Sequence, residues 1–203
     1  MATGPELERI TPNLFVWYRY DSSVKAELFS TGIRSGPGWW LIDPIDIGRA
    51  ILDDVVNGAG IAGIIVTNAN HSRGAPDLSH RLGVSVHAHP DAHSEVGADV
   101  KLNEHTAIPP DLEIIPLAGA PAGEIAVFSA DDGGTLVVGD ALINMDGYAF
   151  TFLPAKYCDD AKLMRKSLRQ LLNFEFERLL FAHGTPIVSA ARGRLEALLE
   201  GGA

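Results

Sequence analysis

Four apolar strands in this 203-residue chain each run into a polar group at their carboxyl end. Trp39 to Ile42 stops at Asp43, and the run Gly63 to Thr67 (GIIVT) leads to Asn68 and Asn70. Thr135 to Val138 leads to Asp140, and Leu179 to Ala182 to His183. In sheets covered by helices, ligand sites gather in the crevice outside the carboxyl ends of the strands. Two acids, a pair of amides and an imidazole are therefore placed to converge on one pocket. Any one of these endings is also what stops a strand, since Asp, Asn and Gly form turns. The coincidence of four is what constrains the fold.

Around those strands the pattern alternates. Asn13 to Tyr20 and Lys25 to Gly32 read as strands rich in β-branched and aromatic residues, with Gly36-Pro37-Gly38 as a turn before Trp39. Residues 46–57 put Ile47, Ala50, Ile51 and Val55 on one helical face, with Asp46 as N-cap. Val84 to Ala88, Leu112 to Pro116 and Glu124 to Ser129 read as strands, and Asp131 to Gly134 as a hairpin turn. A helix over 159–173 behind Asp159 and another over 189–199 complete the pattern. An antiparallel opening followed by β-α alternation gives an α/β or α+β chain, two sheets with helices outside.

Composition narrows the partners. Sixteen Lys and Arg against 26 Asp and Glu give a net charge of −10, which repels nucleic acid. No run of 18 apolar residues offers a membrane span, and Met1 to Ile10 lack the apolar core of a signal peptide. A cytoplasmic protein with a small-molecule ligand is the expectation, and a homo-oligomer stays open. The one cysteine, Cys158, forms no internal disulfide and no zinc module.

Five segments taken in order resemble the metallo-β-lactamase superfamily, which includes β-lactamases, glyoxalase II and many metal-dependent hydrolases. LIDP at 41–44 is similar to the family's strand ending in an acid, and IIVTNANHSRG at 64–74 to its Thr-His-x-His-x-Asp-His loop. LAGAPAGEIAV at 117–127 is similar to its Gly-His-Thr-Pro-Gly-Ser segment. VVGDALI at 137–143 resembles the strand with the bridging aspartate, and FAHG at 181–184 the final histidine. The resemblance implies one αββα domain over 1–203, two mixed β-sheets sandwiched between helices. It also implies one or two metal ions, held by imidazoles and carboxylates, that make hydroxide from water.

Residue by residue, the ligand set departs from that pattern. The loop histidines fall on Asn68 and Asn70, its aspartate on Ser72, its third histidine on Arg73, and the middle-segment histidine on Ala120. Asp140 and His183 alone keep ligand types. An amide oxygen is a weak neutral donor and a guanidinium does not ligate. The expectation is no dinuclear centre, and either no cofactor or one divalent ion (Zn, Mn or Fe). Arg73, or the amides of Asn68 and Asn70, is expected to hydrogen-bond Asp140 in place of the metal, unless Arg73 is a solvated loop residue.

Three functional readings follow. One is a non-catalytic or atypical ligand-binding protein, with pocket residues Asp43, Asn68, Asn70, Ser72, Arg73 and Thr185. Another is a hydrolase of an ester, thioester or phosphoester using a reduced site at Asp140 and His183. Metal-free acid-base chemistry by that same pair is a third. Six histidines, 71, 80, 87, 89, 93 and 105, fall within 35 residues. The bland expectation for them is solvated imidazoles on a sheet edge. His71 is the exception to watch, as the catalytic or metal partner of Asp140 and His183 if the loop turns it inward.

Overall fold

The structure is a computed structural model and describes residues 5–102 and 108–201. The chain opens with β1 (Glu6–Thr11), β2 (Leu14–Asp21), β3 (Ala26–Ser35) and β4 (Gly38–Ile42), paired antiparallel through tight turns. It continues through α1 (Arg49–Val56), β5 (Gly60–Val66), α2 (Ala75–Leu82), β6 (Val86–Ala88), α3 (His93–Val96) and β7 (Val100–Lys101). From β4 onward neighbours are parallel, because each helix carries the chain back across the sheet. These seven strands lie in sequence order in one mixed sheet.

The second half contributes β8 (Leu112–Pro116), β9 (Ile125–Ser129), β10 (Thr135–Val138), a hairpin of β11 (Leu142–Met145) and β12 (Ala149–Phe152), α4 (Ala161–Leu168), β13 (Arg178–Phe181) and α5 (Ala191–Gly201). Its sheet has the order β13-β10-β9-β8, with β13 parallel to β10 and the rest antiparallel.

Three apolar layers hold these parts together. Trp17, Trp39 and Leu41 pack with Leu52 and Leu78 of α1 and α2 on the outer face of the first sheet. Trp40, Ile42 and Ile65 meet Ile125, Val127 and Val137 between the two sheets. Leu136 and Phe181 meet Met164 and Leu195 of α4 and α5 on the outer face of the second. The layer order is αββα, as the resemblance implies. β4 is buried on both sides: adjacent tryptophans point to opposite faces, and each face is covered.

Several local expectations are corrected. α1 begins at Arg49 with Gly48 at the cap position, not at Asp46. The Ser30 hydroxyl donates to the Asp43 carbonyl and accepts from Ile45 N–H, and Trp17 Nε1 donates to the Ile45 carbonyl. Those bonds hold 43–47 out of the helix, with Asp43 itself in a left-handed conformation, φ 48°. The buried face of α1 is Leu52, Val55 and Val56, while Ala50 and Ile51 face solvent. α4 is capped by Asp160 rather than Asp159 and tightens into a 3₁₀ stretch over 169–173. β1, α2 and the β11-β12 hairpin have no counterpart in the sequence reading. His87 is no solvated edge residue: β6 lies between β5 and β7, and its ring is buried against Trp40. His105 lies outside the described residues.

Candidate functional site

The four polar strand ends do converge. Asp43 follows β4, Thr67 and Asn68 follow β5, Asp140 follows β10 and His183 follows β13. A bridge between Leu28 and His183 and a Phe29 N–H bond to the Ala182 carbonyl pin β3 to the end of β13, so both sheets meet at this spot.

His71 is the centre of the cluster. Its Nδ1 lies 2.9 Å from Asp43 Oδ2 and 3.0 Å from Thr67 Oγ1. Thr67 donates its hydroxyl to Asp43 Oδ2 at 2.5 Å and its backbone N–H to Oδ1 at 2.8 Å. On the other side of the ring, Nε2 lies 3.2 Å from Asp140 Oδ1, off the line of a hydrogen bond. The loop turns His71 inward because Asn68 Oδ1 accepts the Asn70 N–H and the Asn68 carbonyl accepts the His71 N–H. Burial works against a charged His71, but the Asp140 and Asp43 carboxylates outweigh it and raise its pKa to about 9.

Asn68 and Glu124 form the deepest part. Asn68 Nδ2 donates to Glu124 Oε2 at 2.6 Å and to Asp140 Oδ2 at 3.1 Å. Ala141 N–H donates to Glu124 Oε1. Burial, then the neighbouring Asp140 carboxylate, pushes Glu124 up to about 8, so it stays protonated at neutral pH. Burial would also raise Asp140, yet His71, and then His183 and Arg73, hold it well below the usual carboxylate range. Gly139 is required here: a Cβ at that position would sit 2.4 Å from Thr67 Oγ1.

Arg73 reaches inward, but not to Asp140. Its Nη1 donates to the Phe29 carbonyl at 2.7 Å and the Asp43 carbonyl at 3.3 Å. Its Nη2 donates to the Ala182 carbonyl at 3.2 Å and faces His183 Nε2 at 3.3 Å. These bonds hold Arg73 in a left-handed backbone conformation, φ 38°, which non-glycine residues rarely adopt. Burial and the Arg73 charge push His183 down to about 4, so its ring is neutral and Nε2 accepts. Nε2 also stands 3.5 Å from Asp140 Oδ1. Of the donors expected at Asp140, Asn68 is therefore the one that reaches it.

The remaining sequence candidates are placed elsewhere. Asn70 is exposed at the mouth of the cavity above the cluster. Thr185 lines a separate cavity of about 220 Å³. Ala120 is buried in the apolar layer against α4 and α5, and the Ser72 carbonyl accepts the Ala75 N–H at the start of α2. Thr67 and Glu124 were not singled out from the sequence. Thr67 reads as the last residue of a strand and Glu124 as the first of one.

The sequence profile of the metallo-beta-lactamase superfamily matches residues 7–201. The chain belongs to that superfamily. No curated protein matches it. Solved structures of similar fold include DIM-1 metallo-beta-lactamase, at 15% identity and TM-score 0.79 over all of both chains. TMB-1 is 14% identical with TM-score 0.78, covering 98% of this chain and 99% of its own. A metallo-beta-lactamase from Pontibacter korlensis is 16% identical with TM-score 0.74, covering 97% and 99%. At such identities the likeness is one of fold.

Metal ions are usual in this fold, so the donor set is decisive. Asn70 and Ala120 lie away from the cluster, and Asn68 Nδ2 and the Arg73 guanidinium bring N–H donors to it rather than lone pairs. His71, Asp140 and His183 bring three ligand-type atoms within 4.8 Å of one another, a candidate set for one divalent ion. Against it stands the Arg73 N–H at His183 Nε2, on the lone pair such an ion needs.

Proposed function

We propose that this member of the superfamily binds a small molecule without metal-dependent hydrolysis, its ion centre replaced by a proton and a guanidinium. The observation that carries this is Arg73 Nη2 on His183 Nε2, 3.3 Å apart. A guanidinium keeps its charge at any ordinary pH and excludes a second cation from that lone pair. With His71 protonated, the two positive charges of His71 and Arg73 balance Asp43 and Asp140, and the cluster is electrically closed. Above it opens a cavity of about 720 Å³, of a size suited to a small ligand.

One observation favours a second reading. His71 Nε2 is buried without a hydrogen bond, on the side facing Asp140. If Arg73 withdrew, His71, Asp140 and His183 would hold one divalent ion. Such an ion supplies hydroxide near neutral pH when bound.

Metal content per chain separates the two. The full chain is purified without chelator and assayed by elemental mass spectrometry, before and after adding zinc, manganese or iron. The first reading expects below about 0.1 equivalents throughout, a working site being a tight one. Arg73→Met is expected to raise retention by freeing His183 Nε2. One equivalent in the unaltered chain, lost on Asp140→Ala, overturns the first reading and installs the second.

A further inference from the structure

The cavity above the cluster carries a charge opposite to that of the chain. Overall, acidic residues outnumber Lys and Arg by 26 to 16. The cavity lining reverses this: with His71 and Arg73 balanced by Asp43 and Asp140, it adds Lys25 and Lys156 and no further carboxylate. The Asp140 carboxylate is already engaged, by Asn68 Nδ2 on one oxygen and, on the other, by the charge of the His71 ring 3.2 Å away. A cavity of one sign in a protein of the other concentrates ligands of opposite charge.

The walls are apolar. Leu28 of β3 and Ile143 and Met145 of β11 face the space, with Leu153 behind the hairpin. Large apolar or aromatic side chains left in water gather at the same mouth: Val24 is 58% exposed, Tyr148 64% and Tyr157 58%. Exposed groups of this size clustered beside a cavity mark a contact surface. Lys25 comes from the turn between β2 and β3, and Lys156 from the 3₁₀ turn at 155–157, with Nζ 4.5 Å from the Tyr157 ring centroid.

We propose that the cavity takes an amphipathic organic anion, its charged group paired with Lys25 and Lys156 and its apolar body against Leu28, Ile143 and Met145. This names the ligand class for the metal-independent binding proposed above and rests on that reading. Arg73 is spoken for by backbone carbonyls and serves as fixed background charge, so the two rim lysines carry the selectivity.

The test is calorimetric titration of the full chain, stripped with chelator, against octanoate, octan-1-ol and octylammonium. Octanoate is expected to bind about fivefold more tightly than the alcohol, the effect of two exposed ion pairs. That preference is expected to fade in high salt. The double variant Lys25→Gln, Lys156→Gln is expected to lose the preference with an unchanged thermal midpoint, both side chains being exposed. Amide shifts on adding octanoate should map to Leu28, Ile143 and Met145. Equal affinity for octanoate and octanol overturns the anion selectivity and leaves the metal-free cavity standing. Octanoate binding that appears only after zinc is restored overturns the metal-independent reading. No binding of any of the three, or shifts mapping elsewhere, overturns the proposal itself.

Discussion

His71 and His183 face the same oxygen of Asp140 from opposite halves of the chain, and their surroundings drive them in opposite directions. His71 comes from the β5-α2 loop, is buried, and is pushed up to about 9 by two carboxylates. His183 follows β13, with 19% of its side chain exposed, and is pushed down to about 4 by burial and by Arg73. The first-half loop supplies a buried floor of His71, Thr67 and Asn68 around Asp43, whereas the second-half strand ends supply Asp140 and His183, two ligand-type side chains. The difference teaches that one carboxylate can face two imidazoles in opposite protonation states. A buried carboxylate demands a cation, and a proton on His71 with the Arg73 guanidinium supplies the charge.

The comparison breaks most visibly at Asp43. Its carboxylate accepts from the Thr67 backbone, the Thr67 hydroxyl and His71. Asp43→Ala leaves three donors, one of them cationic, without an acceptor in a buried site. A loss of about 3–5 kcal/mol is expected in urea unfolding, enough to threaten folding. Asp43→Asn, which keeps one acceptor oxygen, should lose less. A fully stable Asp43→Ala would show that the floor is not held by charge.

The pH dependence sharpens it. The folded state holds the proton on His71 up to about 9, while the unfolded chain releases it near 6.5. His71 therefore stabilises fully below 6.5, and that contribution is lost as pH climbs toward 9. His183 does the reverse: the unfolded chain takes a proton near 6.5 but the folded state refuses it until about 4, so stability falls on acidification through that window. Each limb is worth about 3 kcal/mol at most. In unfolding midpoints against pH, His71→Gln should flatten the alkaline limb and His183→Gln the acid one. Glu124, raised to about 8, adds to the alkaline loss and leaves a residual slope between 4.5 and 8 in His71→Gln. If one substitution flattened both limbs, the two rings would not be the separate titrating groups described.

A smaller effect separates floor from mouth. His183 makes no bond as strong as that between His71 and Asp43, and its ring is partly solvated. His183→Ala is expected to cost about 1 kcal/mol, well under Asp43→Ala. Equal losses would move His183 into the structural floor.

Much of this arrangement was legible, and for a definite reason. Strand endings such as Ile42-Asp43 and Val138-Gly139-Asp140 announce themselves because an apolar run stops at a charge. Parallel strands then bring those ends together. What escaped were features set by contacts across the chain. β1 reads ELERIT, with too few apolar residues to announce a strand, and exists by pairing with β2. The inward turn of His71 depends on local bonds of Asn68, and the protonation of Glu124 on its burial and then on an Asp140 sixteen residues away. Arg73 was expected at Asp140, but three backbone carbonyls outcompete one carboxylate for its planar fork.

The smallest expected effect tests that last point. By the resemblance Asn70 stands where the family has a loop histidine, so Asn70→His brings an imidazole to the site on paper. Its side chain is exposed at the cavity mouth, so the change should alter stability by no more than about 0.5 kcal/mol. Metal retention should also stay at background, since Asn68 still occupies Asp140 Oδ2 and Arg73 still faces His183 Nε2. Combining Asn70→His with Arg73→Met should retain metal where the first change alone does not. The obstacle is then the guanidinium at the second-half histidine, not the number of imidazoles supplied by the first-half loop. Metal uptake by Asn70→His alone would reverse that order.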